Sequence, residues 1–179
     1  MAQKSTKVSI RDALEGDREA ARKVTLAAYE EYAKSMPPLF WEGYRKNIVE
    51  SLDEKRLAQH IVAEDAGKIV GSVLLYPPAA SAYGAAAAES TAIPEMRLLA
   101  VIPAMRGQGI GTALTRECVR RAQRAGASAL GLHTTDLMQT AMQMYERMGF
   151  VRAPELDFHP TENTVIKGYR LDLRQGFMI

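Results

Sequence analysis

The chain has 179 residues, a formal net charge of +2 and one cysteine, Cys118. That length suits a single domain over residues 1–179 with a core of its own. The small charge, and aromatics not interleaved with basic residues, argue against nucleic-acid and membrane partners. A lone cysteine excludes an internal disulfide framework and suits a reducing cytoplasm.

Residues 1–7 are polar and lack the apolar stretch of a secretory signal. Residues 8–12 alternate apolar and polar and predict a first strand. Asp17 is placed to cap a helix, and Ala21, Val24, Ala28 and Tyr32 then recur at helical spacing, predicting a helix to Lys34. Pro37-Pro38 ends it. Residues 40–52 predict a second helix with Ile48 and Leu52 on one side. Residues 60–64 and 69–75 predict a hairpin turning at Asp65-Ala66-Gly67.

Residues 69–88 carry no charge and are long enough to tempt a transmembrane reading. Pro77-Pro78 interrupts the run, and Gly71, Ser72, Ser81 and Gly84 dilute it, so it reads as a buried strand followed by a loop. That loop, residues 76–92, is rich in Ala, Pro and Ser and unusually long for a domain interior. It reads as an excursion of the chain ahead of a substrate lid.

Residues 95–101 predict the next strand, and Pro103 ends its apolar run. Gly107, Gly109 and Gly111 let the backbone turn tightly and approach a ligand. A helical stripe follows at once, through Ile110, Leu114, Cys118, Ala122 and Ala125, with Arg116, Arg120, Gln123 and Arg124 on the other side. Strand, glycine turn and helix N-terminus together make a phosphate-binding arrangement. Gly126 suits a helix C-cap. Residues 129–133 predict a strand, 140–148 a helix capped by Gly149, and 151–158 and 165–173 two final strands. The order is β-α-α-β-β-β-α-β-α-β-β, with antiparallel hairpins at the front and a parallel crossover around Gly109.

Three nucleotide-binding motifs compete for the glycine turn. A P-loop ends in Gly-Lys-Ser/Thr, whereas Gly111 is followed by Thr112 and Ala113. A dinucleotide fingerprint needs G-x-G-x-x-G and an acid about 20 residues on, and the region around Gly131 holds no Asp or Glu. The third motif places an arginine ahead of the glycines: Arg106-Gly107-Gln108-Gly109-Ile110-Gly111. That run resembles the R/Q-x-x-G-x-G/A pyrophosphate signature of the GNAT superfamily of acetyl-CoA-dependent N-acetyltransferases. The preceding L-A-V-x-P and the later M-Y-E-R-M-G-F, residues 144–150, stand where that family carries its own versions.

The resemblance implies an α/β GNAT fold, a mixed central sheet of about seven strands flanked by about four helices. It implies acetyl-CoA as co-substrate, no metal, and direct acetyl transfer to a small-molecule or peptide amine in a ternary complex. Homodimerisation is common in that family. The implied cofactor residues are Leu99, Ala100 and Val101 beside the pantetheine, and Arg106, Gly107, Gln108, Gly109, Ile110, Gly111 and Thr112 around the pyrophosphate. An N–H at Leu99 or its neighbour would polarise the acetyl carbonyl. Tyr145 falls on the tyrosine of the family's helix motif, near the CoA sulfur; a phenol with a pKa near ~10 is protonated at neutral pH and can donate. Its other reading is packing, since Ala141, Tyr145 and Met148 share a helical face.

Glu95 falls where several members place a base. An ordinary glutamate, with a pKa near ~4.3, would need burial or a water relay for that work. Its alternative is an exposed ion pair with Arg97, and Glu89 is a weaker rival. His60, His133 and His159 are scattered without ligand-like pairing. Cys118, mid-stripe, reads as a packed thiol. Met138 stands where many members have an asparagine. Trp41, Tyr44 and Asn47 fall in the region that lines the acceptor site in members of the family; for Trp41, packing within the second helix is the better reading. The alternative to an enzyme is a non-catalytic acyl-CoA-binding module with a degenerate active site.

Overall fold

The structure is a computed structural model that describes residues 8–54, 57–78 and 92–174. The fold is α/β: eight strands in a mixed sheet and four α-helices among the described residues. The chain divides into two compact units, one made of the described residues up to Leu74 with Leu98–Thr115, the other of Leu75–Arg97 and the residues from Arg116 onward.

In the first unit, β1 (Ser9–Asp12) pairs antiparallel with β2 (Gln59–Asp65), and β3 (Lys68–Tyr76) and β4 (Glu95–Val101) follow in the sheet. The β2–β3 turn takes positive φ at Ala66 and Gly67, as the Asp-Ala-Gly signal requires. Helices α1 (Arg18–Tyr29) and α2 (Pro38–Asp53) bury Ala21, Val24, Ala28, Ile48 and Leu52, the apolar positions of the two periodic stretches. Two expectations need correction. Asp17 stands at the N-cap of α1 but makes no side-chain cap; its carboxylate accepts from the Leu14 N–H at 2.7 Å and from Arg11. The α-helix also stops at Tyr29 and tightens into a 3-10 turn at Glu30–Ser35. Glu30 and Glu31 stand at its C-terminal end, where negative charge opposes the helix dipole.

In the second unit residues 95–97 of β4 are followed by β5 (Ala129–Thr134), β8 (Thr164–Asp172) and β6 (Val151–Arg152), with β7 (Phe158–Thr161) on β8. β4 and β5 are parallel, the expected crossover through α3 (Ile110–Arg124). The stripe on α3 is buried at Ile110, Leu114, Cys118 and Ala122, but Ala125 is exposed. α4 (Gln139–Arg147) ends at Gly149, whose φ of 90° only glycine adopts freely. The single strand expected over 151–158 is broken. Pro154 brings a fixed φ and no N–H, and the chain makes a 3-10 turn at Pro154–Leu156 between β6 and β7. Most of the 76–92 loop, with Glu89, lies outside the described residues, as do residues 1–7.

No helix among the described residues is long and apolar enough to cross a membrane.

Candidate active site

The glycine turn is built within the first unit. After β4, the Ile102 N–H donates to the Val70 carbonyl at 2.9 Å, and Pro103–Met105 forms a 3-10 turn. Gly107 and Gly109 then take φ of 75° and 80°. Both values lie in the left-handed region, which explains glycine at these two positions. Gly111 differs from the expectation: it is the second residue of α3, not part of the tight turn.

The first helical bond of α3 runs from the Ala113 N–H to the Gly109 carbonyl at 2.9 Å. The N–H groups before it precede any helical carbonyl partner and carry the positive end of the dipole. A Cβ added at Gly107 or Gly109 would meet no heavy atom within 4 Å, so space over the turn is open. An open cradle of backbone donors fits a pyrophosphate.

The Arg106 guanidinium is engaged by partners outside the glycine turn. Its Nη1 donates to Glu31 Oε2 at 2.8 Å, Nη2 to the Ala28 carbonyl at 3.1 Å and Nε to the Val101 carbonyl at 3.4 Å. The Gln108 amide donates to the Met105 sulfur at 3.7 Å.

Leu98 is a feature that the sequence did not announce. It is buried and takes φ of 52°, a region that costs a bulky L-residue roughly 1–2 kcal/mol. The pairing of β4 with β5 covers only Glu95↔Gly131 and Met96↔Leu132, and ends before this residue. Strand alternation is reset there, ahead of Leu99, Ala100 and Val101.

In the second unit Glu95 is buried, 8% exposed, so the expectation of an exposed pair with Arg97 is corrected. Its Oε1 lies 2.8 Å from His133 Nδ1, and His133 Nε2–H donates to the Leu156 carbonyl at 2.7 Å. Burial opposes a charge on His133. The Glu95 carboxylate and the Leu156 carbonyl outweigh it, and the imidazole pKa is raised above its ordinary value. His133 was not singled out as a partner from the sequence, yet the register explains the meeting. Glu95 pairs with Gly131, and His133, two residues on, points to the same sheet face.

Gly168 lets the Leu156 carbonyl reach the ring. It is the β8 partner of His133, and a Cβ there would lie 3.0 Å from the Ala153 carbonyl and against Leu156. The turn is fastened by the Gly168 N–H donating to Asp157 Oδ1 at 2.7 Å and by Arg152 on Asp157.

Tyr145 is buried on α4, its ring 5.7 Å from that of Phe150. Met138 occupies the N-cap of α4 and makes no side-chain cap. Cys118 is fully buried, and burial pushes its thiol up to about 12, leaving it protonated at neutral pH. Trp41 is half-buried on α2, its ring edge-on to Tyr44 at 6.2 Å. No group of three or more His, Cys, Asp or Glu gathers among the described residues.

A mixed sheet with an open glycine turn leading into a helix N-terminus suits a phosphate-bearing ligand. Residues 20–150 match the acetyltransferase (GNAT) family, and the chain belongs to that family. Mycothiol acetyltransferase of Nocardia farcinica is 34% identical over 125 residues, covering 62% of this chain and 37% of that protein. The chain spans less than half the length of the curated relatives it matches. Among solved structures, a GNAT family acetyltransferase from Brucella melitensis in complex with acetyl-CoA is 26% identical, with a TM-score of 0.59 over 82% of this chain and 84% of that one. The PaiA N-acetyltransferase of Thermoplasma acidophilum in complex with coenzyme A has a TM-score of 0.67, at 16% identity over 93% and 99% of the two chains.

Proposed function

We propose that this protein is an N-acetyltransferase that moves acetyl from acetyl-CoA directly to a primary amine, within one acetyltransferase domain of a cytoplasmic protein. The observation that carries the reading is the open glycine turn, with Gly107 and Gly109 left-handed, leading straight into the N-terminus of α3. Membership of the GNAT family and the acetyl-CoA complex of the Brucella relative support it.

Bound acetyl-CoA would supply the activated acyl thioester, its C–S bond breaking as the new C–N bond forms. The N–H groups of Gly107, Gln108, Gly109, Ile110 and Gly111, with Thr112 beside them, would hold the pyrophosphate. The backbone of Leu99, Ala100 and Val101 would align the pantetheine, and the Leu99 N–H would polarise the acetyl carbonyl as its oxygen gains charge. Tyr145 Oη would give its proton to the departing sulfur. Glu95 Oε2 would take the proton that an ammonium must lose before it attacks. The acceptor belongs to a broad class, small-molecule or peptide amines.

Three measurements test the reading. Acetyl-CoA at about 100-fold its dissociation constant should stabilise the protein by ~2.7 kcal/mol where NAD does not. Thiol release across a panel of amines should identify an accepted acceptor; binding without release from any amine would point to the non-catalytic module. Gly109→Val puts a branched residue at a φ of 80° beside the cradle and should abolish most acetyl-CoA affinity while the fold persists. Unchanged affinity in calorimetry would remove the turn from the binding site.

A further inference from the structure

We propose that His133 is a positioning residue for Glu95: held as a doubly donating imidazolium between Glu95 Oε1 and the Leu156 carbonyl, it keeps the carboxylate ionised and aimed at the ammonium of an amine substrate. Only the substrate clause rests on the acetyltransferase reading; the state of the ring does not.

The geometry limits the proton count. A backbone carbonyl has no proton to give, so Nε2, 2.7 Å from the Leu156 oxygen, carries one. Nδ1 faces a carboxyl oxygen at 2.8 Å. Either Nδ1 carries a second proton and Glu95 is a carboxylate, or Nδ1 is bare and Glu95 is the acid. Against the cost of burial, the Glu95 carboxylate and the Leu156 carbonyl hold the imidazole pKa above its ordinary value, which places the shared proton on the ring. A neutral ring beside an ionised Glu95 would turn a lone pair toward an acceptor oxygen. Water does not relieve that conflict, because the two side chains are only 2% and 10% exposed.

Charged and polar groups from several elements face the ring. From β4 come Glu95 and Arg97, the arginine opposing charge on the ring. From the 154–157 turn come the Leu156 carbonyl and Asp157, and the ring in turn helps hold Asp157 ionised. Asp157 is held by Arg152 of β6 and by the Gly168 N–H of β8. The Phe158 ring stands edge-on at 5.2 Å.

Oε1 is committed to the imidazolium, so the proposal assigns proton acceptance to Oε2. Loss of the second ring proton would turn the bare Nδ1 toward Oε1 at 2.8 Å, lone pair against acceptor, and the contact that fixes the carboxylate would be lost. Glu95 is therefore held in place only while His133 keeps its second proton, which sets the alkaline limit.

The test has two arms. In protein labelled with nitrogen-15 in its histidines, both ring nitrogens of His133 should be in the N–H state at pH 7. In Glu95→Gln, Nδ1 should lose its proton at that pH. A bare Nδ1 in the wild type, with the proton on Glu95, overturns the proposal. In thiol release with an accepted amine, wild-type kcat/KM should fall at alkaline pH with the midpoint of the ring titration. His133→Gln should lose that limb and about 10- to 100-fold in kcat/KM, with KM for acetyl-CoA little changed. His133→Asn serves if the glutamine variant does not fold. An unchanged alkaline limb in the variant overturns the proposal. A doubly protonated ring in a protein that acetylates no amine counts against the acetyltransferase reading and leaves the ion pair supported. A bare Nδ1 in a protein that does transfer acetyl overturns this proposal alone.

Discussion

Arg106 and Glu31, 75 positions apart in the sequence, are joined at 2.8 Å, and the same guanidinium donates to the Ala28 carbonyl at the end of α1. The arginine of the pyrophosphate signature is thus seated on a helix C-terminus, where the dipole favours a cation. Both side chains are about two-fifths exposed, 39% and 42%, and such pairs contribute only ~0–1 kcal/mol. Glu31→Gln should leave stability nearly unchanged and, by removing a competing carboxylate, tighten acetyl-CoA binding. Arg106→Gln should weaken it. Equal affinities in calorimetry for all three proteins would make Arg106 a brace for α1 and no phosphate ligand.

Tyr145→Phe keeps the ring against Phe150 and removes only the hydroxyl. Stability should change little. If the phenol protonates the leaving sulfur, kcat should fall by about 10²–10⁴-fold with acetyl-CoA binding retained. Full kcat, measured where chemistry limits the rate, would reduce Tyr145 to packing.

Gly168→Ala places a methyl group against Leu156 and 3.0 Å from the Ala153 carbonyl, where backbone must move. Overpacking of this kind costs typically 1–3 kcal/mol. The displaced turn should also carry the Leu156 carbonyl away from His133 Nε2, lowering the pH at which the ring loses its second proton. A ring titration identical to wild type would show that the turn does not support the imidazole.

Stability should depend on pH through the same ring. The folded pKa of His133 is raised, so the folded state holds this proton more tightly than the unfolded chain. The contribution is complete below the unfolded value near ~6.5 and is lost as pH rises through the folded value. Urea midpoints of wild type and His133→Gln should therefore differ by a constant amount in mild acid and converge at alkaline pH. A gap that widens with pH would reverse the assignment.

Local pattern carried most of the architecture. The apolar periodicity of α1, α2 and α3, the Asp65-Ala66-Gly67 hairpin and the glycine turn are properties of short runs whose φ preferences and burial follow from residue type. The glycine turn was legible for that reason: Gly107 and Gly109 announce a left-handed turn, and Ile110 onward announces a helix. Breaks such as the one at Pro154 were also written locally, although the strand pattern around the proline masked it.

What the tertiary structure alone decided is which distant groups meet. Glu95 and His133 lie 38 positions apart, and no periodicity within β4 or β5 pairs them. The parallel register Glu95↔Gly131 does so, and Gly168 on β8 admits the turn that brings the Leu156 carbonyl to the other ring nitrogen. Leu98 belongs with these, since a leucine at φ of 52° violates its own local preference and is held there by its burial and surroundings. Sequence patterns record the preferences of neighbours along the chain; ring protonation and strand distortion are set by neighbours across the sheet, whose identity exists only once the register has formed.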